Sequence, residues 1–183
     1  MVDEWRKQIE MLSKVAKFDP HSAYAAYTHG MRHKFTYAMR TIPDIMDYLR
    51  PLEDAIRNQL IPALTEQHFV NDVERELLGL PARLGGLGIA NPCDDAVHEF
   101  DNSMKLTANL TTAIVNQSPD PVRNDREMRR RISNDNANRQ KTQQIAIEQR
   151  LSAPELKLHK LNQQKGASAW LTAMPTTEHG FHL

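Results

Sequence analysis

Asp19-Pro20-His21-Ser22-Ala23-Tyr24-Ala25-Ala26-Tyr27-Thr28-His29-Gly30-Met31-Arg32-His33-Lys34-Phe35-Thr36-Tyr37-Ala38 sets Tyr24, Tyr27, Met31, Phe35 and Ala38 at three- and four-residue steps. That is the period of one helix face. Asp19 before Pro20 supplies an N-cap and then the residue type that sacrifices no hydrogen bond at the first helical position. The face is the most aromatic surface in the sequence, and its neighbours supply the cover. Upstream, Trp5, Ile9, Leu12 and Val15/Ala16 recur between charged residues from Glu4 to about Lys17, and Phe18-Asp19-Pro20 ends that first helix. Downstream, Thr41-Ile42-Pro43-Asp44 restarts the chain into a third helix striped by Ile45, Leu49, Leu52, Ile56 and Leu60, which Pro51 kinks or divides. The spacing predicts three antiparallel helices and an all-α class.

Further along, Asn71-Asp72-Val73-Glu74 has the form of a capping box for a short helix carrying Val73, Leu77 and Leu78. Residues 79 to 88 hold four of the seven glycines, so an irregular turn is expected over 79–92. A helix from Asp94 follows, with Val97, Phe100, Met104, Leu110 and Ile114 as its apolar positions, stopping before Ser118-Pro119-Asp120-Pro121. The expected division is a helical domain over 1–117, a basic helical or disordered linker over 118–152 and a truncated segment over 153–183.

The linker differs in kind from the rest. Between residues 122 and 150, Arg123, Arg126, Arg129, Arg130, Arg131, Arg139, Lys141 and Arg150 stand against Asp125, Glu127, Asp135 and Glu148, a net charge of +4 in a chain whose 23 basic and 23 acidic residues cancel as a whole. With few apolar residues it cannot bury enough surface to fold alone, and reads as a solvated helix or helix-prone linker. Charge segregation of this kind, rather than overall charge, is what could draw a polyanion. A single cysteine, Cys93, excludes an internal disulfide and a thiolate zinc cluster. The charged N-terminus and the lack of a long apolar run predict a protein without membrane attachment, intracellular, in cytoplasm or nucleus.

Short chemical motifs give little. His29 and His33 have an i, i+4 spacing that could bridge a metal, but His29-Gly30-Met31-Arg32-His33 lacks the glutamate of a zinc-protease helix and a third ligand, and His21, His68, His98, His159, His179 and His182 are scattered. Asp94-Asp95 follows Asn91-Pro92-Cys93 and opens a helix, so the pair reads as helix-terminal acids rather than as the metal-holding pair of a polymerase. Gly85-Gly86-Leu87-Gly88 lacks the lysine and βαβ context of a phosphate loop, and Cys93 with His98 lacks an orienting group. No cofactor, metal site or catalytic residue is expected.

Longer blocks carry a resemblance. Leu80-Pro81-Ala82-Arg83-Leu84-Gly85-Gly86-Leu87-Gly88-Ile89 resembles the segment that follows the catalytic palm in reverse-transcriptase frames of non-LTR retrotransposons from invertebrate genomes. Ala23-Tyr24-Ala25-Ala26-Tyr27-Thr28-His29-Gly30, Arg40-Thr41-Ile42-Pro43-Asp44-Ile45, Pro51-Leu52-Glu53-Asp54-Ala55-Ile56-Arg57 and Ile61-Pro62-Ala63-Leu64-Thr65 resemble the helical region before it, and Lys165-Gly166-Ala167-Ser168-Ala169-Trp170-Leu171-Thr172 the stretch leading to the C-terminal part of those frames. The resemblance implies a thumb and connector without the palm carboxylates: a non-catalytic fragment or remnant that grips an RNA or DNA duplex weakly and without sequence preference. Arg123, Arg126, Arg129, Arg130 and Arg131, with Arg32, His33 and Lys34 on the second helix, are the expected phosphate contacts. The alternative is a helical protein-interaction or scaffold module that self-associates or binds a partner through an exposed apolar face.

Overall fold

The computed structural model describes residues 1–67, 69–118 and 125–172. Among them every regular element is helical. Arg123, His68, His179, His182 and the end of the chain from residue 173 lie outside the described residues.

The first helix, α1 (Val2–Ala16), buries Trp5, Ile9 and Ala16, and Ser13 donates its hydroxyl to the Ile9 carbonyl at 2.7 Å. α2 (Pro20–Ala26) begins as its sequence dictates, with the Asp19 carboxylate accepting from the Ser22 N–H at 3.0 Å. What the sequence does not announce is a π-helical turn, Tyr27–Met31, between α2 and α3 (Arg32–Thr41). Its cause is in the spacing. Tyr27 and Phe35, both buried, are eight residues apart, and on an unbroken α-helix eight residues turn through about 800°, leaving the two about 80° out of line. A π turn absorbs one residue and returns the pair to one face. The same device recurs downstream. A 3-10 turn (Ile45–Leu49) leads into α4 (Arg50–Ala55), with Pro51 in its first turn, then a π turn (Ile56–Leu60) and α5 (Ile61–Thr65). Leu52 and Leu60 are again eight residues apart and both fully buried.

These elements make one hydrophobic core, in which Ile9, Tyr27, Phe35, Leu49, Leu52, Ile56, Leu60 and Ile61 meet, and the Trp5 and Phe35 rings lie 6.1 Å apart. α1 packs against α2, α4 and α5. α6 (Asp72–Gly79) starts on the reciprocal hydrogen bonds between Asn71 and Glu74. Val73, Leu77 and Leu78 are half-buried there, and the residue that α6 sends deepest is Arg75. Its guanidinium grips the Glu53 carboxylate through two bonds, of 2.7 and 2.6 Å, and donates a third to the Ile89 carbonyl at 2.6 Å.

The segment after α6 folds back on the end of that helix through a 3-10 turn (Ala82–Leu84), with the Leu87 and Ile89 N–H groups both donating to the Leu78 carbonyl. Gly85 takes φ +83°, and a Cβ on Gly86 would stand 2.1 Å from the Leu80 carbonyl oxygen, so both positions require glycine. The Tyr24 hydroxyl reaches across to the Leu87 carbonyl at 2.7 Å.

α7 (Pro92–Val115) begins two residues before Asp94, with Asn91 accepting from the Cys93 N–H. Its expected apolar stripe is corrected. Val97, Met104, Leu110 and Ile114 are exposed and Phe100 is half-buried, whereas Pro92, Ala96 and Ala113 are the buried positions. Small residues allow α7 to lie close against α3 and the Ile45–Leu49 turn, and its larger apolar side chains point elsewhere.

Packing continues past residue 117. α8 (Asp125–Glu148) runs antiparallel to α7, as the successive pairs Asp95–Arg139 and Asn102–Asn136 require, and also touches α6. Ile147 is buried, and Arg150 pairs with Glu76. α9 (Ala153–Asn162) is capped by Ser152 with Glu155 and buries His159, against which a Cβ on Gly85 would clash at 2.8 Å. α10 (Ala169–Thr172) lies on α2. Among the described residues no helix is long and apolar enough to cross a membrane.

Candidate nucleic-acid interface

α8 is divided by its surroundings. From Asn136 to Glu148 it is held: Arg139 directs both terminal nitrogens at an Asp95 carboxylate oxygen at 3.3 Å, Gln140 accepts from Arg83, and Gln144 donates to Glu148 at 2.8 Å. From Arg126 to Arg131 it is almost bare. Arg126, Arg129, Arg130 and Arg131 are all exposed, while Met128 and Ile132 are half-buried. Arg131 pairs with Glu127 one turn back, but Arg126, Arg129 and Arg130 have no side-chain hydrogen bond or ion pair among the described residues. At about 100° per residue Arg131 projects roughly 200° round from Arg129, so the helix presents Arg126, Arg129 and Arg130 on one side and a self-neutralised pair on the other. The facing part of α7 adds no opposing charge, because residues 106 to 118 contain neither acid nor base.

The three expected contacts on the second helix, Arg32, His33 and Lys34, lie apart from this group. Lys34, on α3, is exposed and donates its Nζ to the Gln8 amide at 3.0 Å on α1. Arg32 is exposed and stands between two cavities. One, of about 340 Å³, is lined by Arg75, Arg83, Asp94, Asp95, Arg139 and Gln143 among others; the other, of about 110 Å³, lies between α3 and α7. In the larger cavity most charges already have partners on this chain. His33 and His29 are both exposed. Among the described residues no three His, Cys, Asp or Glu side chains gather where a metal ion could be held.

Asp94 and Asp95 do different things. Asp94 is exposed at the start of α7, whereas Asp95 is half-buried, its carboxyl pushed upward from the usual range by burial and pulled back by Arg139. Burial likewise raises Glu53, opposed by Arg75, and pushes the Cys93 thiol up to about 11, far from the reactive range.

A third cavity lies beside the bare arginines. This open groove of about 620 Å³ is walled by Arg129, Ile132, Ser133, Asn136, Ala137 and Gln140 along one stripe of α8, by Leu106 of α7 and by Arg83 of the Ala82–Leu84 turn. Sequence reasoning reached Arg129 but not Arg83, which sits inside a glycine-rich block and gives no periodic signal. No protein family, curated protein or solved structure matches the chain.

Proposed function

We propose that the chain is a non-catalytic helical module that binds nucleic acid weakly and without reading its sequence, as the thumb-and-connector resemblance to retroelement reverse transcriptases implies. One observation carries the reading: Arg126, Arg129 and Arg130 project from the uncovered end of α8 without carboxylate partners among the described residues. Unpaired guanidinium groups in water displace counterions from a phosphate backbone. The uncharged Thr107, Asn109, Thr111 and Thr112 on the exposed end of α7 leave that field intact and offer groups that hydrogen-bond phosphate and sugar. Catalysis by Asp94 and Asp95 is disfavoured by their division of labour, since Asp95 is committed to Arg139.

The test is fluorescence anisotropy of a labelled RNA–DNA hybrid at several salt concentrations. Wild type should bind with a Kd of roughly 10⁻⁴ to 10⁻⁶ M at physiological salt. Changing Arg126, Arg129 and Arg130 together to Gln should reduce the slope of log K against log salt by about 2 to 3, if each meets one phosphate. The single change Arg131→Gln should alter it less than any one of the three. An unchanged slope in the triple variant would reject the reading. A second reading, a protein-interaction module, is favoured by one observation of its own, the exposure of Leu110, Ile114 and Val115 at the end of α7. Concentration-dependent self-association, without nucleic-acid binding, would select it.

A further inference from the structure

The groove beside α8 differs from the other cavities in its charge. The cavity around Arg75 and Arg139 mixes arginines with Glu76, Asp94 and Asp95. That between α3 and α7 includes Asp95 and Glu99. The groove has Arg83 and Arg129 in its walls and, among the described residues, no carboxylate. Arg83 is hydrogen-bonded to the neutral Gln140 amide and Arg129 has no side-chain partner among the described residues, so neither charge is cancelled.

Spacing narrows the ligand. Arg129 and Gln140, where Arg83 docks, are eleven residues apart on α8, about 16 Å along the axis. A small anion can meet only one end. Between the ends the lining turns apolar at Leu106, Ile132 and Ala137, and carries short polar groups at Ser133 and Asn136. A ligand that satisfies the whole groove has anionic groups at both ends and flat or weakly polar groups between them.

We infer that this groove is a site for one unpaired strand of nucleic acid, whose backbone runs from Arg129 to Arg83 with bases turned onto Leu106, Ile132 and Ala137. The inference rests on the nucleic-acid reading above and goes beyond it. A duplex keeps its bases stacked inside and presents phosphates, so it would use the arginines at the tip of α8 and leave the groove floor idle. A single strand can turn its bases outward and use both. Arg83 is thereby a binding residue that belongs to the strand and not to the duplex.

The experiment compares the full chain with labelled oligouridylate, with the same strand annealed to its complement, and with unlabelled polyglutamate as competitor. The expected result is tighter binding of the single strand than of the duplex. Arg83→Gln should weaken the strand several-fold and lower its salt slope by about 0.7, the value for one phosphate on a single strand, with duplex binding unchanged. Since Arg83 also holds Gln140, a second variant, Ser133→Glu, places a carboxylate on an exposed helical position in the groove and should nearly abolish strand binding. Equal affinity for strand and duplex, with both variants silent, would overturn the groove while leaving the tip arginines standing. Displacement by polyglutamate as effective as by unlabelled oligouridylate would also overturn it, showing a site for any polyanion. Binding of neither nucleic acid would reject both this inference and the reading beneath it.

Discussion

The helices from α1 to α5 and the stretch of the α7–α8 pair around Ile114 and Arg129 are made of similar apolar side chains and treat them in opposite ways. In the first region Ile9, Leu49, Leu52, Ile56, Leu60 and Ile61 lose all contact with water. In the second, beyond Leu106 on α7 and before Asn136 on α8, Ala113 is the only buried side chain among the described residues, and Ile114 stays 68% exposed. Periodicity alone does not separate the two, since a stripe says that a helix has an apolar side and not whether anything covers it. The difference lies in neighbours. α1 packs against both α4 and α5, whereas among the described residues the end of α7 beyond Leu106 buries only Ala113.

The strongest challenge to this contrast is at the junction between the regions, where Arg75 joins α6 to α4 and to the glycine segment. Its side chain is 5% exposed and that of Glu53 12%. Arg75→Met leaves the Glu53 carboxylate buried without its partner and should cost about 3 to 5 kcal/mol in urea unfolding, with much of the loss recovered when Glu53→Met is added. Next, Leu52→Ala should cost about 2 to 4 kcal/mol by the same measurement. A value near zero there would mean that α1 to α5 are no better packed than the end of α7.

A third effect depends on pH. Burial holds the His159 imidazole below its ordinary value of 6.5, with Glu148 acting in the opposite direction. The unfolded chain therefore takes up a proton more readily than the folded one. Stability due to the neutral ring is complete above about pH 6.5 and declines as the pH falls towards the lowered folded value. The melting temperature followed from pH 7.5 to 5 should fall more in wild type than in His159→Gln. Smallest of all, Ile114→Ser at the end of α7 should change stability by less than about 0.5 kcal/mol. A loss comparable to that of Leu52→Ala would show that something covers this face.

Local chemistry was legible in the sequence wherever the partners are close in the chain. The Asp19 cap with Pro20, the Asn71 box with Glu74 and the stripes through Tyr27, Phe35, Leu49 and Leu52 all follow from spacings of at most a few residues. Features set by distant segments were hidden. Arg75 is buried because Glu53, 22 residues earlier, and the Ile89 carbonyl meet it, and no pattern around Arg75 says so. The large side chains of α7 were misread because Ala96 permits a close approach to α3 that their periodicity did not reveal. On α8, the arginine run is legible in the sequence but its two sides are not. Helical geometry separates Arg131, paired with Glu127, from Arg129, and chain folding sets Arg83 across from it.

The π turns at Tyr27–Met31 and Ile56–Leu60 also bear on how this chain can change length. Each stores one surplus residue as slack. Removing a single residue from Thr28 to Gly30 would tighten the turn into ordinary helix and leave Tyr27 and Phe35 on their shared face, because the seven steps that then separate them sweep about 700°, nearly two whole revolutions. The same deletion inside α1 would swing Trp5 about 100° away from Ile9 and Ala16. Single-residue deletions that most buried helices reject have a permitted address here, at the two places where the backbone already carries the extra unit.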